Sequence, residues 1–186
     1  MITNIVEIVQ NDLGYPAIKK IDPNTQETKE AVSRSSRERL AQSAIPAVLA
    51  GFHSFTRSDK GCNYILAGGG QENWLDTLFG DKKDMAVEKI AHYANIALDD
   101  AAVNMENIAS EAVNIIREAA GDKPTAEKLR SYMSGQRHNI LVYLPAALQL
   151  GDLLNDNAMD DRTNKMEGPI SSMMHNIENK LSGGGY

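Results

Sequence analysis

Apolar residues recur at helical spacing along most of this chain, and nowhere do they alternate with period two for long enough to make a strand. Ile2, Ile5, Val6, Val9 and Leu13 form a first stripe, with Thr3 or Asn4 placed to cap it and Gly14 to end it. Pro16 can open a short second helix carrying Ile18 and Ile21, stopped by Asp22-Pro23. Residues 24–35 are polar and weakly patterned, a short helix or a linker. From Arg37 to Phe55 the stripe is Leu40, Ala44, Ile45, Val48, Leu49 and Phe52, and Pro46 should kink this helix or split it. Ser58 or Asp59 caps a helix with Cys62, Ile65 and Leu66, which runs into Gly68-Gly69-Gly70.

Asn73 to Phe79 make a short helix with Trp74, Leu75, Leu78 and Phe79 inward, ended by Gly80. Asp81 caps the next, with Met85, Val87, Ile90, Ala91 and Ala94 on its buried face. The longest helix spans about Asp99 to Ala120. Val103, Met105, Ile108, Ala109, Ala112, Val113, Ile115 and Ile116 make it the central hydrophobic helix, and Gly121 stops it. Pro124 opens a helix with Ala126, Leu129, Tyr132 and Met133, broken at Ser134-Gly135. A second proline-bearing helix continues through Leu144-Pro145-Ala146 to about Leu150. Residues 155–165 are a polar connection, and Ile170, Met173, Met174, Ile177 and Leu181 mark a final amphipathic helix over 169–181 before a Gly-Gly-Gly-Tyr tail.

These elements predict an all-α, multihelical single domain. Pro46 and Pro145 sit in matching Pro-Ala settings, so both are expected inside buried, kinked helices that touch each other or share a central helix. Trp74 to Met85 and Leu129 to Ile140 offer a repeated helix-turn-helix hairpin, each with a glycine (Gly80, Gly135) and basic residues before an apolar run. The expected organisation is a helical body over residues 1–150, a polar linker over 151–168, and the C-terminal helix and tail over 169–186.

Composition sharpens this. Aromatic residues are 5% of the chain, so the core must come from Leu, Ile, Val, Met and Ala packed helix on helix. The net charge of −6 argues against nucleic acid as partner, because phosphate binding needs clustered Lys and Arg. The most basic stretch, Arg34-Ser35-Ser36-Arg37-Glu38-Arg39, is diluted by serine and glutamate and reads as a solvated helix start. The single cysteine, Cys62, excludes an internal disulfide and a cysteine zinc site. No secretion signal opens the chain, and Ala44 to Phe52 is far short of the roughly 20 residues of a membrane span. A cytoplasmic protein is the expectation.

The order of motifs resembles the bacterial YidB-like domain family of unknown function, in its Bacteroidetes form. The resemblance covers about residues 1–150. It rests on the leading helix Ile5 to Leu13, the segment Ala44-Ile45-Pro46-Ala47-Val48-Leu49-Ala50-Gly51, the hairpin Leu75-Asp76-Thr77-Leu78-Phe79-Gly80, and Ser134-Gly135-Gln136 through Leu144-Pro145-Ala146-Ala147-Leu148. It implies a multihelical fold and no catalytic residues. This chain is more charged and less rich in Gly and Leu than the family pattern.

Candidate chemistry is sparse. Glu88 and His92 lie one helical turn apart, and His175 and Glu178 three residues apart, but a metal needs three or four ligands and neither pair has a matching partner. Leu66 to Glu72 precedes a helix but lacks the Lys-Ser/Thr of a phosphate loop and comes after no strand. The acidic run Asp152 to Asp161 lacks the glycine and glutamate of a calcium loop. No catalytic, cofactor-binding or metal-binding set is therefore expected. The expected function is that of a non-enzymatic helical protein-interaction or structural component, self-associating or part of a larger bacterial assembly. Met173, Met174, Ile177, Leu181 and Tyr186 are its candidate interaction residues, with residues 169–186 expected at an intermolecular contact. The alternative is a small-ligand or lipid-binding protein with an apolar pocket lined by Met85, Ile90, Ile108, Met133 and Leu141.

Overall fold

The helix that starts at Ser36 begins with a capping box. The Ser35 hydroxyl accepts from the Glu38 N–H at 3.2 Å, and the Glu38 carboxylate accepts from the Ser35 N–H at 2.7 Å. Beyond Arg39 the sequence is rich in Ala, Ile, Val and Leu on every side, so the helix has no face to give to water. In the computed structural model, which describes residues 4–21, 35–68 and 73–154, this helix (Ser36–Phe55) is buried at every position from Leu40 to His53.

The other helices wrap it. They are α1 (Ile5–Asp12), α3 (Asp59–Leu66), α4 (Trp74–Phe79), α5 (Lys83–Ala94), α6 (Leu98–Ala119), α7 (Ala126–Leu141) and α8 (Leu150–Leu154), with the Ser36–Phe55 helix as α2. Single 3-10 turns occupy Gly80–Lys82 and Ala146–Leu148. Among the described residues there is no strand, as the all-α pattern requires. Helices α1, α4, α5, α6, α7 and α8 all pack directly on α2, while α3 packs on α6 and α7. Close approach depends on two glycines: a side chain at Gly51 would press on Leu78, and one at Gly61 would run into the Phe55 carbonyl oxygen. Around that junction Phe52, Trp74, Tyr64 and Phe55 form a chain of ring contacts with centroids 5.4 to 5.9 Å apart.

The buried glutamine of α2 is fully engaged, and its partners set where the flanking segments run. Gln42 Nε2 donates to the carbonyls of Lys19 at 2.9 Å and Tyr143 at 2.8 Å, while its Oε1 accepts from the Lys19 N–H at 2.8 Å. The Ile21 N–H donates to the Val142 carbonyl at 2.8 Å. Residues 15–21 therefore form no regular element and are held by side-chain and long-range backbone bonds in place of an i to i−4 ladder. The short helix expected after Pro16 is not formed. A second buried glutamine, Gln136 on α7, accepts from the Ile5 N–H at 3.2 Å and so anchors the start of α1.

The two prolines behave differently. Pro46 lies inside α2, which runs unbroken through it, and is buried as expected. Pro145 is buried but not helical: α7 ends at Leu141, Pro145 is extended (φ −64°, ψ 130°), and one 3-10 turn comes next. The residue before a proline is pushed away from helical geometry, and here nothing packed around the segment overrides that preference. The hairpin repeat is not present either. Gly80 breaks the first segment with φ +55°, whereas Gly135 sits within the uninterrupted α7. Helix α7 holds together across Ser134-Gly135 because Leu129, Met133, Gln136 and Ile140 form one buried stripe that outweighs the roughly 1 kcal/mol cost of a helical glycine.

Two expected core positions are exposed. Val103 is 60% exposed, because it lies about half a turn from the α6 stripe of Ala101, Met105, Ile108, Ala109, Ala112 and Ile116. Met85 is 51% exposed, since α5 buries Ala86, Val87, Ile90, Ala91 and Ala94 instead. Helix α6 keeps one wet face, so the enclosed helix at the centre is α2. Asp81 does not cap α5; it lies in the preceding 3-10 turn, and Lys82 holds the N-cap position without a side-chain bond. Beyond residue 150, Gly151 and Leu153 of α8 are buried against the body, as is Leu150 at its start.

Three substitutions test this packing. Ile108→Ala should lower the unfolding free energy by about 2–5 kcal/mol, and Val103→Ala by less than about 0.5 kcal/mol, in urea denaturation. Equal losses would mean that the phase of α6 is wrong. Gln42→Met, which keeps volume but strands the backbone groups of Lys19 and Tyr143, should cost about 2–4 kcal/mol in the same assay; a neutral result would show that the glutamine does not hold the segment.

Candidate functional site

Exposed apolar surface concentrates on one helical hairpin. Helix α5 turns its small and branched residues inward, which leaves Met85, Glu88, Lys89 and His92 at three- and four-residue spacing on one outer stripe. It stops where Asn95 takes the left-handed conformation (φ 55°), and the Ile96 N–H reaches back to the Ala91 carbonyl at 3.1 Å. Two residues later Leu98 opens α6. Its side chain is 56% exposed, and with Met85 and Val103 it completes the large apolar side chains left exposed among the described residues. A cleft of about 520 Å³ lies between α5, the start of α6 and the Ala146–Leu148 turn, with Glu88, His92, Tyr93, Leu98, Ala147 and Leu148 in its walls.

Of the chemical groups weighed from sequence, Glu88 and His92 both line this cleft. Among the described residues no group of three or more His, Cys, Asp or Glu is arranged to hold a metal ion. Cys62 is buried, its thiol donates to the Thr56 carbonyl at 3.1 Å, and burial pushes the thiol pKa up against the opposing pull of Arg130. A buried thiol held protonated is a packing residue, not a nucleophile. His53 is buried at the C-terminal end of α2, and His138 is exposed on α7. The helix after the glycine run offers its first amides to an internal anion: the Glu106 carboxylate of α6 accepts from the Trp74 N–H at 2.7 Å and the Leu75 N–H at 3.1 Å. The position a phosphate would take at α4 is thus filled by the protein itself.

A second cleft, of about 460 Å³, lies where residues 13–15 meet α2 and α6. Tyr15 donates its hydroxyl proton to Asn104 Oδ1 at 2.7 Å, and Arg37 lies over the Tyr15 ring and donates to the Gly14 carbonyl at 3.0 Å. Burial raises the Tyr15 pKa and Arg37 opposes it. Arg37, from the most basic stretch of the sequence, is thus engaged in holding the N-terminal segment.

Of the apolar residues considered for a ligand pocket, Ile90, Ile108 and Met133 are buried in the common core, Leu141 is half-buried and Met85 is exposed. None of them lines either cleft. The interaction candidates Met173, Met174, Ile177, Leu181 and Tyr186 lie outside the described residues. Leu98 was missed because the pattern places the helix start at Asp99. The only available signal was the position of Leu98 directly after the extended Ala97, at the head of a helix whose buried stripe begins at Ala101.

The tyrosines give a pH test of this packing. Tyr143, 5% exposed, donates to Glu7 Oε1 at 3.2 Å; burial, then the Glu7 charge, hold its pKa above the ordinary phenol value. Burial also raises Tyr132. The folded state keeps these protons longer than the unfolded chain, so their contribution is complete below about pH 10 and is lost as pH rises through the folded values. The urea midpoint should fall as pH rises above about 10, and Tyr143→Phe should flatten that fall; an unchanged pH slope in the variant would remove Tyr143 from the account.

No protein-family profile matches the chain, and no curated protein or solved structure matches it.

Proposed function

We propose that this chain is a non-enzymatic helical component that works through protein–protein contact, self-associating or seated in a larger assembly, and that the α5–α6 hairpin carries the contact. One observation supports the reading above others. The large apolar side chains left at 51%, 56% and 60% exposure, Met85, Leu98 and Val103, all belong to this one hairpin, and a cleft opens beside Leu98. Exposed apolar residues gathered on one element mark contact surfaces more often than the same residues scattered singly. Charged neighbours Glu88, Lys89 and Asp99 supply the polar rim that such surfaces carry. Among the described residues no helix is long and apolar enough to cross a membrane. Kinship with the YidB-like family is proposed on the sequence motifs alone, and it adds nothing about partner or process.

The test is native mass by light scattering across a concentration series. The full chain should rise above its single-chain mass of 20.3 kDa with increasing concentration, and Leu98→Asp with Val103→Asp should hold it at one chain while leaving helical circular dichroism intact. A wild-type chain that stays single at every concentration would contradict self-association.

A further inference from the structure

The cleft where residues 13–15 meet α2 and α6 is lined by opposite charges that do not meet. Arg37 comes from α2 and Asp100 from α6, and they form no ion pair with each other. The Asp100 carboxylate and the Asn107 side-chain amide both line the cleft, and neither has a hydrogen-bond partner among the described residues. The apolar part of the lining is Leu40, which is buried, with the half-buried Leu13 and Ile96. We propose that this cleft binds a free aliphatic amino acid. The ligand carboxylate lies on Arg37, its ammonium on Asp100 and Asn107, and its side chain on Leu13, Leu40 and Ile96.

The polar groups are held in place by the protein's own bonds. Asp100, Asn104 and Asn107 recur at i, i+4 and i+7, which puts them on one stripe of α6. Asn104 Nδ2 donates to the Asp100 carbonyl at 2.7 Å, and its Oδ1 accepts from the Tyr15 hydroxyl at 2.7 Å. The Arg37 guanidinium lies 5.7 Å from the centroid of the Tyr15 ring, and its Nη2 donates to the Gly14 carbonyl at 3.0 Å. That bond uses one of five guanidinium N–H donors, and the rest suit the two oxygens of a carboxylate. An ionised Asp100 is acceptor-only, which suits an ammonium with three donors. A purely anionic ligand is repelled by Asp100 and a purely cationic one by Arg37, so a ligand carrying both charges is favoured over either. A cleft of about 460 Å³ leaves room for an aliphatic side chain beside these groups. Because Arg37 and Tyr15 are already held, binding orders few side chains. None of Met85, Leu98 and Val103 lines this cleft, so the proposal stands independently of the contact reading.

An amide-resolved NMR titration of the full chain at neutral pH tests the proposal, with leucine, 3-methylbutylamine and 4-methylpentanoate as probes. The three share one aliphatic chain and carry both charges, the ammonium alone and the carboxylate alone. Leucine should shift signals of residues 13–15, 36–40 and 100–107, and bind at least about tenfold more tightly than either analogue. Asp100→Asn should weaken leucine about tenfold and leave 4-methylpentanoate no weaker, so that the two converge. Arg37→Gln should make leucine converge on 3-methylbutylamine in the same way. The Asp100 carboxylate makes no contact that the fold uses, so its variant should keep the wild-type urea midpoint, and it decides the test if Arg37→Gln loosens residues 13–15. No saturable shift with leucine up to about 10 mM overturns the proposal. An analogue that binds as tightly as leucine also overturns it, and makes the cleft a site for a single charge. Leucine binding that Asp100→Asn leaves unchanged overturns it too, because the ligand then sits elsewhere.

Discussion

A helix with no solvent face imposes its terms on everything around it. Every residue of α2 from Leu40 to His53 is buried, so each polar group there needs a partner inside the protein. Ser43 and Thr56 turn their hydroxyls back to carbonyls of the same helix, at 2.8 Å to Arg39 and 2.8 Å to Phe52. Gln42 cannot be satisfied that way. Its amide bonds both backbone groups of Lys19 and the carbonyl of Tyr143, and this one side chain therefore fixes an N-terminal segment and the end of α7 against the centre. Gln136 repeats the device at α1. The architecture is a buried helix whose polar minority dictates the routes of its neighbours.

The two prolines show how tertiary context decides what local preference leaves open. Before Pro46, helical geometry is disfavoured and one backbone hydrogen bond is missing, yet α2 runs through because apolar contacts on all sides reward continuity. Before Pro145 the same preference prevails and the chain leaves the helix. The segment gains there by a different route, since Tyr143 and Val142 give their carbonyls to Gln42 and Ile21. Matching Pro-Ala contexts in the sequence could not distinguish these outcomes.

What was legible in the sequence was local. Asn4 and Ser58 cap helices through contacts two or three residues away, and Gly14 and Gly121 end them in left-handed geometry, so composition within one turn was enough. The capping box at Ser35-Ser36-Arg37-Glu38 carries its Ser-x-x-Glu signature openly, although the pattern of apolar residues drew attention to Arg37 instead. What was not legible depends on helical phase and on distant partners. Val103 and Met85 are apolar residues on faces that the fold leaves outside, and only the neighbours of α5 and α6 decide that. The roles of Gln42, Gln136 and Glu106 involve partners 23 to 131 residues away, beyond any periodicity. The candidate surface shared this difficulty, because it is defined by which large side chains the core did not take.

Gln42 joins the irregular segment at residues 15–21 to α2 as one cooperative unit, and the fold depends on that union. Native-state hydrogen exchange measures it most directly at the Lys19 amide, whose proton is bonded to the Gln42 side chain. That amide should open with the same free energy as the core amides of α2, because neither is released without global unfolding. A Lys19 amide that exchanges through a low-energy local opening, while α2 stays protected, would contradict it.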